Sequence, residues 1–561
     1  MITSIISKSL YKILRGAGAF VEKKFESDTK NPQEVNERIL LKILRRNSRT
    51  VIGNIYNFKN IKSSEEFKRI FPITDYEYYE KYIVRMAEGE SNVLTSDKVE
   101  YFCHTSGTTG KQKLIPTTKR GRRVPTKYMV FLINRFAYKE FKEKRNYGRG
   151  LMIADITMTN YTKGGYPVCS ATSGGIKAMK TMLPYMYTSP IDVMEIKDKE
   201  TSSYLHLLFA LKEVNLLFIN GVFISNVVDL FRILQENSSK LVEDIRRGKV
   251  SRTINLEEDV RQKLNSYLTP DAGRADELQR IFKHGFAGVA RRVWPKLLYI
   301  GSVTGANFAI YDDMLNYYTD YLPVYSPVYA ATEGTIGMNP FVKKIEYVII
   351  PDTVYYEFIP EKEMNIKNPK TLCLGELKEG EKYEILMTNC MGLYRYRLGD
   401  VVKVVGKYNN TPTIEFLYRR NQVLNMVSEK TNEEHLTSTI KDAIKTLNID
   451  IVDYTTLPDN TITPGRYVFY MELKNCLMHE EKCKLEEFLD KELRGANLAY
   501  DRARASKKLG RLKVIALRPN TFKKVKEALI KNEVSKNQIK IPRVVTEKYE
   551  VIRILEENSI K

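Results

Sequence analysis

The segment YFCHTSGTTGKQKLIPTT, residues 101–118, carries the strongest signal in this chain of 561 residues. A strand-like stretch, 101–104, leads into a loop of serine, threonine and glycine that closes at Lys113. Glycines permit a tight turn and bring backbone N–H groups close to a ligand, while hydroxyls and lysines add donors and positive charge. This chemistry suits a triphosphate. The loop is not a Walker loop, because the Gly-Lys pair at Gly110 is followed by Gln112, and an ordinary polar turn is the alternative interpretation.

The composition indicates a globular protein with a sizeable core. Hydrophobic residues make up 43% of the chain and charged residues 28%, with a formal net charge of +22. Such a charge favours polyanionic partners. The basic residues are nevertheless spread along the chain among acidic ones, and the densest cluster, 119–123, is short. We therefore predict a charged, solvated surface and no specific nucleic-acid partner.

Cysteine usage and hydropathy predict a cytoplasmic protein. The six cysteines show no CxxC spacing, and the five histidines form no metal motif, which indicates a reducing compartment without a structural zinc site. The N-terminal pattern carries Lys8, Lys12 and Arg15, so it predicts an amphipathic helix rather than a secretory signal. The most apolar region, 204–234, is broken by charged residues, and we expect no membrane span.

Strand-like and helical stretches alternate through the first 330 residues. Alternation of this kind predicts an α/β architecture with mostly parallel sheets. Helical patterns cover 31–50, 202–235 and 256–283, and strand patterns cover 150–154, 296–301 and 323–329.

The pattern changes in the second half of the chain. Short strands with turn residues between 347 and 405 predict an antiparallel subdomain, and a smaller α+β section follows. We place a large domain at 1–418, a hinge region at 419–432 and a small mobile C-terminal domain at 433–561.

Three later segments complement the loop. Thr304, Gly305 and Ala306 form a small-residue turn, 329–334 reads YAATEG, and 394–400 reads YRYRLGD. An adenine can stack on an aromatic ring, and carboxylates can hold magnesium or accept hydrogen bonds from ribose hydroxyls. Taken singly, each of these residues has a structural interpretation that is as good as the functional one. Tyr329 can be a core aromatic, Glu333 a carboxylate at a helix start, and Gly399-Asp400 a hairpin turn. The joint order of the segments favours a nucleotide site.

This order resembles the adenylate-forming superfamily, whose members activate carboxylic acids with ATP. Within it, the chain looks most like the acyl acid amido synthetases of the Gretchen Hagen family, over about 31–545. The segments that carry this resemblance include WPK at 294–296, YRYRLGD at 394–400, FLYRRN at 416–421, SEKTNE at 428–433, PGRYV at 464–468 and NQIKIPR at 537–543. One feature departs from the family: the loop at 105–113 is shorter than usual and lacks the Arg-Lys ending, which leaves its phosphate contacts open.

The resemblance implies a two-step reaction with ATP and Mg²⁺: formation of an acyl-adenylate, then transfer of the acyl group to an amine, such as an amino acid. It implies catalytic roles for Lys540, which would swing in with the small domain, and for Glu333, which would hold Mg²⁺. The nucleotide-binding residues that it implies are Thr105, Ser106, Gly107, Thr108, Thr109, Gly110, Lys113, Thr304, Gly305, Ala306, Tyr329, Thr332, Asp400, Arg419 and Lys430.

The acyl pocket is expected between the loop and residue 221. Its composition mixes apolar and hydroxyl side chains, which suits an aromatic or medium-length acid. The candidate lining residues are Met158, Tyr161, Ser170, Thr172, Leu216 and Phe218.

Two other interpretations remain at this point. The first is an acyl-CoA ligase, in which a thiol takes the place of the amine. The second is a catalytically inactive nucleotide-binding relative or a basic nucleic-acid binder, for which salt-sensitive binding would be typical.

Overall fold

The computed structural model describes residues 2–105, 113–141, 148–156, 158, 160–304, 311–420, 423–427, 429, 431–475, 477–532, 540–545 and 549–560. The strands in this part of the chain are β1 (Val99–Thr105), β2 (Lys113–Thr118), β3 (Leu151–Ile153), β4 (Asn160–Tyr161), β5 (Pro167–Cys169), β6 (Phe218–Phe223), β7 (Tyr299–Val303), β8 (Val324–Tyr325), β9 (Val328–Ala331), β10 (Gly334–Met338), β11 (Tyr347–Ile349), β12 (Tyr355–Pro360), β13 (Lys382–Thr388), β14 (Tyr396–Tyr408), β15 (Thr411–Arg419), β16 (Val423–Leu424), β17 (Thr431–Asn432), β18 (Ile451–Asp459), β19 (Arg466–Leu473) and β20 (Lys513–Leu517).

The α-helices are α1 (Ile2–Lys30), α2 (Pro32–Arg46), α3 (Val51–Ile55), α4 (Ser64–Ile70), α5 (Tyr76–Ala87), α6 (Lys119–Thr126), α7 (Ile133–Glu140), α8 (Ala171–Lys177), α9 (Leu183–Met186), α10 (Ile191–Met194), α11 (Lys199–Leu211), α12 (Ile224–Arg247), α13 (Glu258–Ser266), α14 (Ala272–Lys283), α15 (Val289–Val293), α16 (Asp312–Thr319), α17 (Glu433–Leu447), α18 (His479–Ala496), α19 (Leu498–Ala505), α20 (Thr521–Asn532) and α21 (Tyr549–Glu557). None of the helices in the described ranges is long and apolar enough to span a bilayer.

A parallel sheet forms the centre of the N-terminal region. Its strands run in the order β3–β6–β7–β8, and each neighbouring pair is parallel. Ile153, Ile219 and Ile300 are buried in these strands, as is typical of parallel strands that are covered on both faces. Apolar residues of α11 and α12 join the same core cluster. Because the carboxyl ends of parallel strands meet at one edge, Thr304 lies at that edge, directly after β7.

A smaller sheet, in the order β2–β1–β5–β4, carries the 101–118 segment. β1 and β2 form an antiparallel hairpin in which Thr105 lies opposite Lys113. β5 is parallel to β1, and Phe102 of β1 packs in a second core cluster. Residues 106–112, which connect the two hairpin strands, lie outside the described ranges.

The predicted antiparallel subdomain is a seven-stranded sheet in the order β12–β13–β14–β15–β11–β10–β9. The neighbouring strands pair in the antiparallel sense, and Asp400 of β14 lies opposite Arg419 of β15. This pairing places the segments YRYRLGD (394–400) and FLYRRN (416–421) side by side.

The C-terminal region has the predicted α+β character. β18 and β19 are antiparallel, β19 and β20 are parallel, and α17 covers the predicted residues 433–447. Strand β18 has no counterpart among the strands predicted from the sequence. Val544 bridges to Thr456, so the segment around it lies beside β18.

Two predicted helical patterns are interrupted in the structure, and the pattern over 256–283 is divided into α13 and α14. The pattern over 202–235 reads as continuous, but α11 ends at Leu211, β6 follows, and α12 begins at Ile224. α11 is buried along almost its whole length, and the start of β6 and the first half of α12 are largely buried, so that periodicity alone does not separate the strand from the helices.

Two arginines of the segment 394–400 are held by buried carboxylates. Arg395 Nη2 donates to Glu357 Oε1 at 2.8 Å, and Arg397 pairs with Glu384. The side chains of Arg395 and Glu357 are only 8% and 1% exposed. These two arginines therefore anchor the strand that carries the predicted ribose carboxylate.

Replacing Arg395 by methionine is expected to lower the free energy of unfolding by about 3–5 kcal/mol, because Glu357 would stay buried without its cation. Urea unfolding followed by circular dichroism measures the change. The matched control is Arg494→Met, which removes a surface pair with Asp501 and should cost less than about 1 kcal/mol. Equal effects of the two substitutions would contradict the anchoring role.

Candidate active site

The end of the hairpin is held by α5. The Lys113 ammonium lies 5.3 Å from the centroid of the Tyr76 ring, and the Leu114 N–H donates to the Tyr76 hydroxyl at 2.9 Å. Lys113 and Thr105 therefore mark where the predicted phosphate loop leaves the sheet. The remaining predicted loop residues lie outside the described ranges, and their role stays a prediction: Ser106, Gly107, Thr108, Thr109 and Gly110.

Glu333 occupies the turn between β9 and β10, directly after Thr332. The residue is 7% exposed. Asn389 Nδ2 donates to the backbone carbonyl of Glu333 at 2.8 Å, and the Tyr396 hydroxyl donates to Oε1 at 3.4 Å. The antiparallel sheet thus fixes both the backbone and the carboxylate of Glu333.

Several charges act on the Glu333 carboxyl. Burial has the largest influence and raises its pKa, while Arg419 opposes that rise most strongly. Asp400 raises the pKa further, and Lys113 lowers it from the hairpin. Segments far apart in the sequence are therefore within electrostatic reach of one buried carboxylate, whose charge a bound cation would stabilise.

Asp400 is held from two sides. The Tyr329 hydroxyl donates to Oδ2 at 2.8 Å, and Arg419 Nε donates to Oδ1 at 2.6 Å. Asp400 raises the pKa of the Arg419 guanidinium in spite of burial. Burial, followed by Asp400, raises the pKa of Tyr329 well above its ordinary value, so the phenol stays a donor. Each carboxylate oxygen of Asp400 keeps acceptor capacity for a further hydroxyl.

The strand order brings the two segments that are predicted to bind adenine close to each other. Thr304 follows β7, β8 is the parallel neighbour of β7, and the chain passes from β8 into β9, which carries Tyr329. The Tyr329 ring lies 5.8 Å from the rings of Tyr347 and Phe416. Gly305 and Ala306, the other two residues of the predicted turn, lie outside the described ranges.

Part of the predicted acyl pocket lies near the hairpin. Ser170 directly follows β5, the neighbour of β1, and it caps the N-terminus of α8, on which Thr172 lies. Met158 packs against the core cluster that contains β1. Tyr161, in contrast, is 70% exposed on β4.

Leu216 and Phe218 lie at the other edge of the parallel sheet. Phe218 pairs with Tyr299 at the start of β7, whereas Thr304 follows its end. At about 3.3 Å per residue, the five residues of β7 separate the two edges by about 16 Å. Leu216 is fully buried in the main core. Neither residue enters the pocket that we propose below.

Lys540 lies in the C-terminal region. Its ammonium is 3.4 Å from Glu433 Oε2, and Glu433 is a fully buried residue at the start of α17. Lys430, the weaker candidate past the hinge, lies outside the described ranges.

Two residues of the site were not identified from the sequence, Asn389 and Tyr396. Tyr396 lies four residues before Asp400 in the same strand. The strand is irregular between these two residues, where its register with β13 shifts and Gly399 has a φ of +82°, so even spacing did not predict that Tyr396 belongs to the site. Asn389 follows β13 and gave no signal either.

Comparison with solved structures identifies the fold. The chain matches the GH3.15 acyl acid amido synthetase with a TM-score of 0.85 and 27% sequence identity, over 96% of this chain and 95% of that one. It also matches a 2-hydroxyisobutyryl-CoA ligase in complex with 2-HIB-AMP, with a TM-score of 0.52 and 10% identity, over 97% and 91% of the two chains. The second likeness concerns the fold alone. The chain therefore shares its fold with an acyl acid amido synthetase and with a CoA ligase that was solved in its postadenylation state.

Comparison of sequences identifies the family. Family models match the GH3 family N-terminal domain at 21–324, the central domain at 347–419 and the C-terminal domain at 434–549. The probable indole-3-acetic acid-amido synthetase GH3.11 of Oryza sativa subsp. japonica is 32% identical, over 95% of this chain and 94% of the relative. The 4-substituted benzoates-glutamate ligase GH3.12 of Arabidopsis thaliana is 30% identical, over 93% and 95%. The chain belongs to the GH3 (Gretchen Hagen) family. It is an enzyme, an ATP-dependent amido synthetase.

Proposed function

We propose that the enzyme activates its acid in the site around Glu333. A carboxylate oxygen of the acid attacks the α-phosphorus of ATP, the bond to the α,β-bridging oxygen breaks, and pyrophosphate leaves. An amine nitrogen then attacks the acyl carbon, AMP leaves, and the nitrogen loses a proton. The observation that carries this proposal is a pair of buried carboxylates that one strand joins: Glu333 accepts a hydrogen bond from Tyr396, and Asp400, four residues on in the same strand, accepts from Tyr329 and Arg419.

The first step builds negative charge on the phosphates, so preorganised positive groups favour its transition state. Lys113 supplies such a charge at the end of the hairpin. Arg419 donates a hydrogen bond to Asp400, and we assign it the role of orienting that carboxylate. The loop residues between Thr105 and Lys113 are proposed to donate to the phosphates, as the resemblance implies.

The site suits a Mg²⁺ ion that is held by few protein side chains. The described residues contain no group of three or more side chains that could hold a metal, but Glu333 offers one buried carboxylate. Magnesium in nucleotide sites usually takes one or two protein carboxylates and completes its shell with phosphate and water oxygens. We propose Glu333 as its ligand. The bound ion would neutralise charge on the phosphates.

Asp400→Asn is expected to raise the KM for ATP about 10- to 100-fold, because a hydrogen bond to a charged group contributes about 1.5–3 kcal/mol. Asparagine keeps the size of the side chain but offers fewer acceptor sites to ribose hydroxyls. The ATP dependence of pyrophosphate exchange measures the effect. Tyr329→Phe is the control, since it removes a donor to Asp400 and leaves the acceptor in place. An unchanged KM in Asp400→Asn would rule out the ribose contact.

We further propose that the domain of residues 1–418 and the domain of residues 433–561 rotate about the hinge at 419–432. Lys540 is paired with Glu433 in this structure; we assign the domain arrangement described here to the first step, and rotation would carry Lys540 away from the phosphates for the second. Gating of this kind is common in enzymes with two half-reactions. Fluorescence energy transfer between labels on the two domains tests it: an unchanged distance after addition of acid and ATP would contradict the rotation.

The substrate is proposed to be an aromatic or medium-length acid, with an amino acid as acceptor. The relatives are named for indole-3-acetic acid and for 4-substituted benzoates, and one of them for glutamate. Ser170, Thr172 and Met158 supply the mixed hydroxyl and apolar lining beside the hairpin.

Purified acyl-AMP separates the acceptor classes. The enzyme should convert it to an amide with one or more amino acids and should leave coenzyme A unreacted. Formation of a thioester in preference to an amide would favour the acyl-CoA ligase interpretation.

A further inference from the structure

A buried polar cluster joins the N-terminal domain to the segment that carries Lys540. The Tyr311 hydroxyl donates to Asp453 Oδ2 at 2.7 Å, and the other oxygen of Asp453 pairs with Arg543. Tyr311, Asp453 and Arg543 are 4%, 2% and 3% exposed. Arg543 lies three residues after Lys540, so the contact connects the two domains close to the proposed catalytic lysine.

Arg543 fixes the segment 540–545 to the C-terminal sheet. Thr456 of β18 exchanges backbone hydrogen bonds with this segment at 2.9 and 3.0 Å. Arg543 Nη1 also donates to the carbonyl of Tyr454 at 2.7 Å, and its guanidinium lies 4.5 Å from the centroid of that ring. The position of Lys540 is therefore tied to β18, and through β18 to Asp453.

Tyr311 ties the same cluster to the nucleotide side. It directly precedes α16 and lies seven positions after Thr304, part of the proposed adenine site. Burial, followed by Asp453, raises the pKa of the Tyr311 phenol well above its ordinary value. Burial, the largest influence, lowers the pKa of Arg543, but Asp453, Tyr311 and Tyr454 together more than offset it. The cluster thus keeps a neutral donor, a carboxylate and a cation, and leaving any of them without a partner in a buried site is costly.

We propose that Tyr311 is a positioning residue for Lys540: through Asp453 and Arg543 it sets where the 540–545 segment lies relative to the N-terminal domain. This inference rests on the proposed function, because it requires that Lys540 acts in adenylation. Tyr311 itself need not contact the substrate. Other ion pairs across the interface, such as Lys526 with Asp229 and Lys523 with Glu200, are more exposed and contribute less.

Tyr311→Phe tests the inference, because it removes one hydroxyl and keeps the ring. The kcat of acid-dependent pyrophosphate exchange is expected to fall about tenfold, the scale of one hydrogen bond to a charged group. In a Lys540→Ala background the same substitution should have no further effect, since residues that act through one another are not additive. An unchanged or raised kcat, or an equal loss in both backgrounds, would overturn the inference.

Tyr318→Phe is the matched control. Tyr318 lies on α16, is 8% exposed, and donates to Gln235 Oε1 at 2.9 Å within the N-terminal domain. Its loss removes a comparable hydrogen bond without touching the contact between the domains. We expect its kcat for exchange to stay within about twofold of the parent, well below the effect of one hydrogen bond to a charged group.

Hydrogen–deuterium exchange separates failure of this inference from failure of the proposed function. The Thr456 and Val545 N–H groups bond between β18 and the 540–545 segment, and local opening exposes such groups to exchange. Tyr311→Phe should speed their exchange, and Tyr318→Phe should not. Unchanged protection in Tyr311→Phe would overturn the positioning role whatever the enzyme's activity. A parent enzyme that adenylates no acid would instead contradict the proposed function.

Discussion

Lys540→Ala is expected to slow acid-dependent adenylation by about 10²–10³-fold, the scale found when one preorganised group that stabilises developing charge is removed. The transfer of the acyl group from preformed acyl-AMP to the amine should stay near the parental rate, because no phosphate charge builds up in that step. Single-turnover assays of the two half-reactions measure both effects. The split between them is the signature of a lysine that acts on the phosphates.

A surface lysine of the same domain provides the control. Lys523 lies on α20, and its side chain is 61% exposed where it pairs with Glu200. Lys523→Ala should leave both half-reactions within about twofold of the parent, as expected for an exposed pair. If Lys540→Ala slowed both half-reactions equally, a general loss of structure would be the better explanation, and the assigned role would be wrong.

Glu333→Gln is expected to lower pyrophosphate exchange by about 10²-fold or more, since the amide is a poor ligand for Mg²⁺ and the phosphate charge would be less well neutralised. The Tyr396 hydroxyl can still donate to the amide oxygen, so the local hydrogen bond is kept. The Mg²⁺ concentration needed for half-maximal exchange should also rise. An unchanged Mg²⁺ dependence would exclude Glu333 as the ligand.

The stability of Glu333→Gln provides an internal control. Burial raises the pKa of Glu333 above its unfolded value, which is about 4.3. The folded state therefore binds the Glu333 proton more tightly than the unfolded state does. This tighter binding stabilises the folded parent at low pH, and the stabilisation is lost as the pH rises through the folded pKa. Without Mg²⁺, the variant should be at least as stable as the parent at pH 8, and its relative advantage should disappear below about pH 4. If the variant is clearly less stable than the parent at pH 8, misfolding explains its lost activity.

The parts of the fold that the sequence predicted are those with local signals. Helix α17 has regular apolar spacing and begins at Glu433, after the capping residue Asn432. Asp400 follows a glycine with a φ of +82°, and this backbone conformation explains the Gly-Asp pair. The order of the segments, combined with the family resemblance, predicts the nucleotide site, and its residues stay a prediction.

Features that depend on distant contacts were not predictable in this way. β6 lies between α11 and α12, and its short sequence FINGVF does not alternate strictly between apolar and polar residues. Phe218, at its start, was expected in the acyl pocket but lies at the other edge of the sheet. Tyr311 and Asp453 are 142 positions apart in the chain, and neither has an unusual neighbourhood in the sequence. Their contact exists only once the two domains pack together.

The most direct test of the account is acid-dependent exchange of labelled pyrophosphate into ATP, measured across a panel of aromatic and aliphatic carboxylic acids. We predict exchange with at least one aromatic or medium-length acid, and we predict that Glu333→Gln and Lys540→Ala lose this exchange. Exchange with no acid of the panel, by an enzyme that still binds ATP, would contradict it.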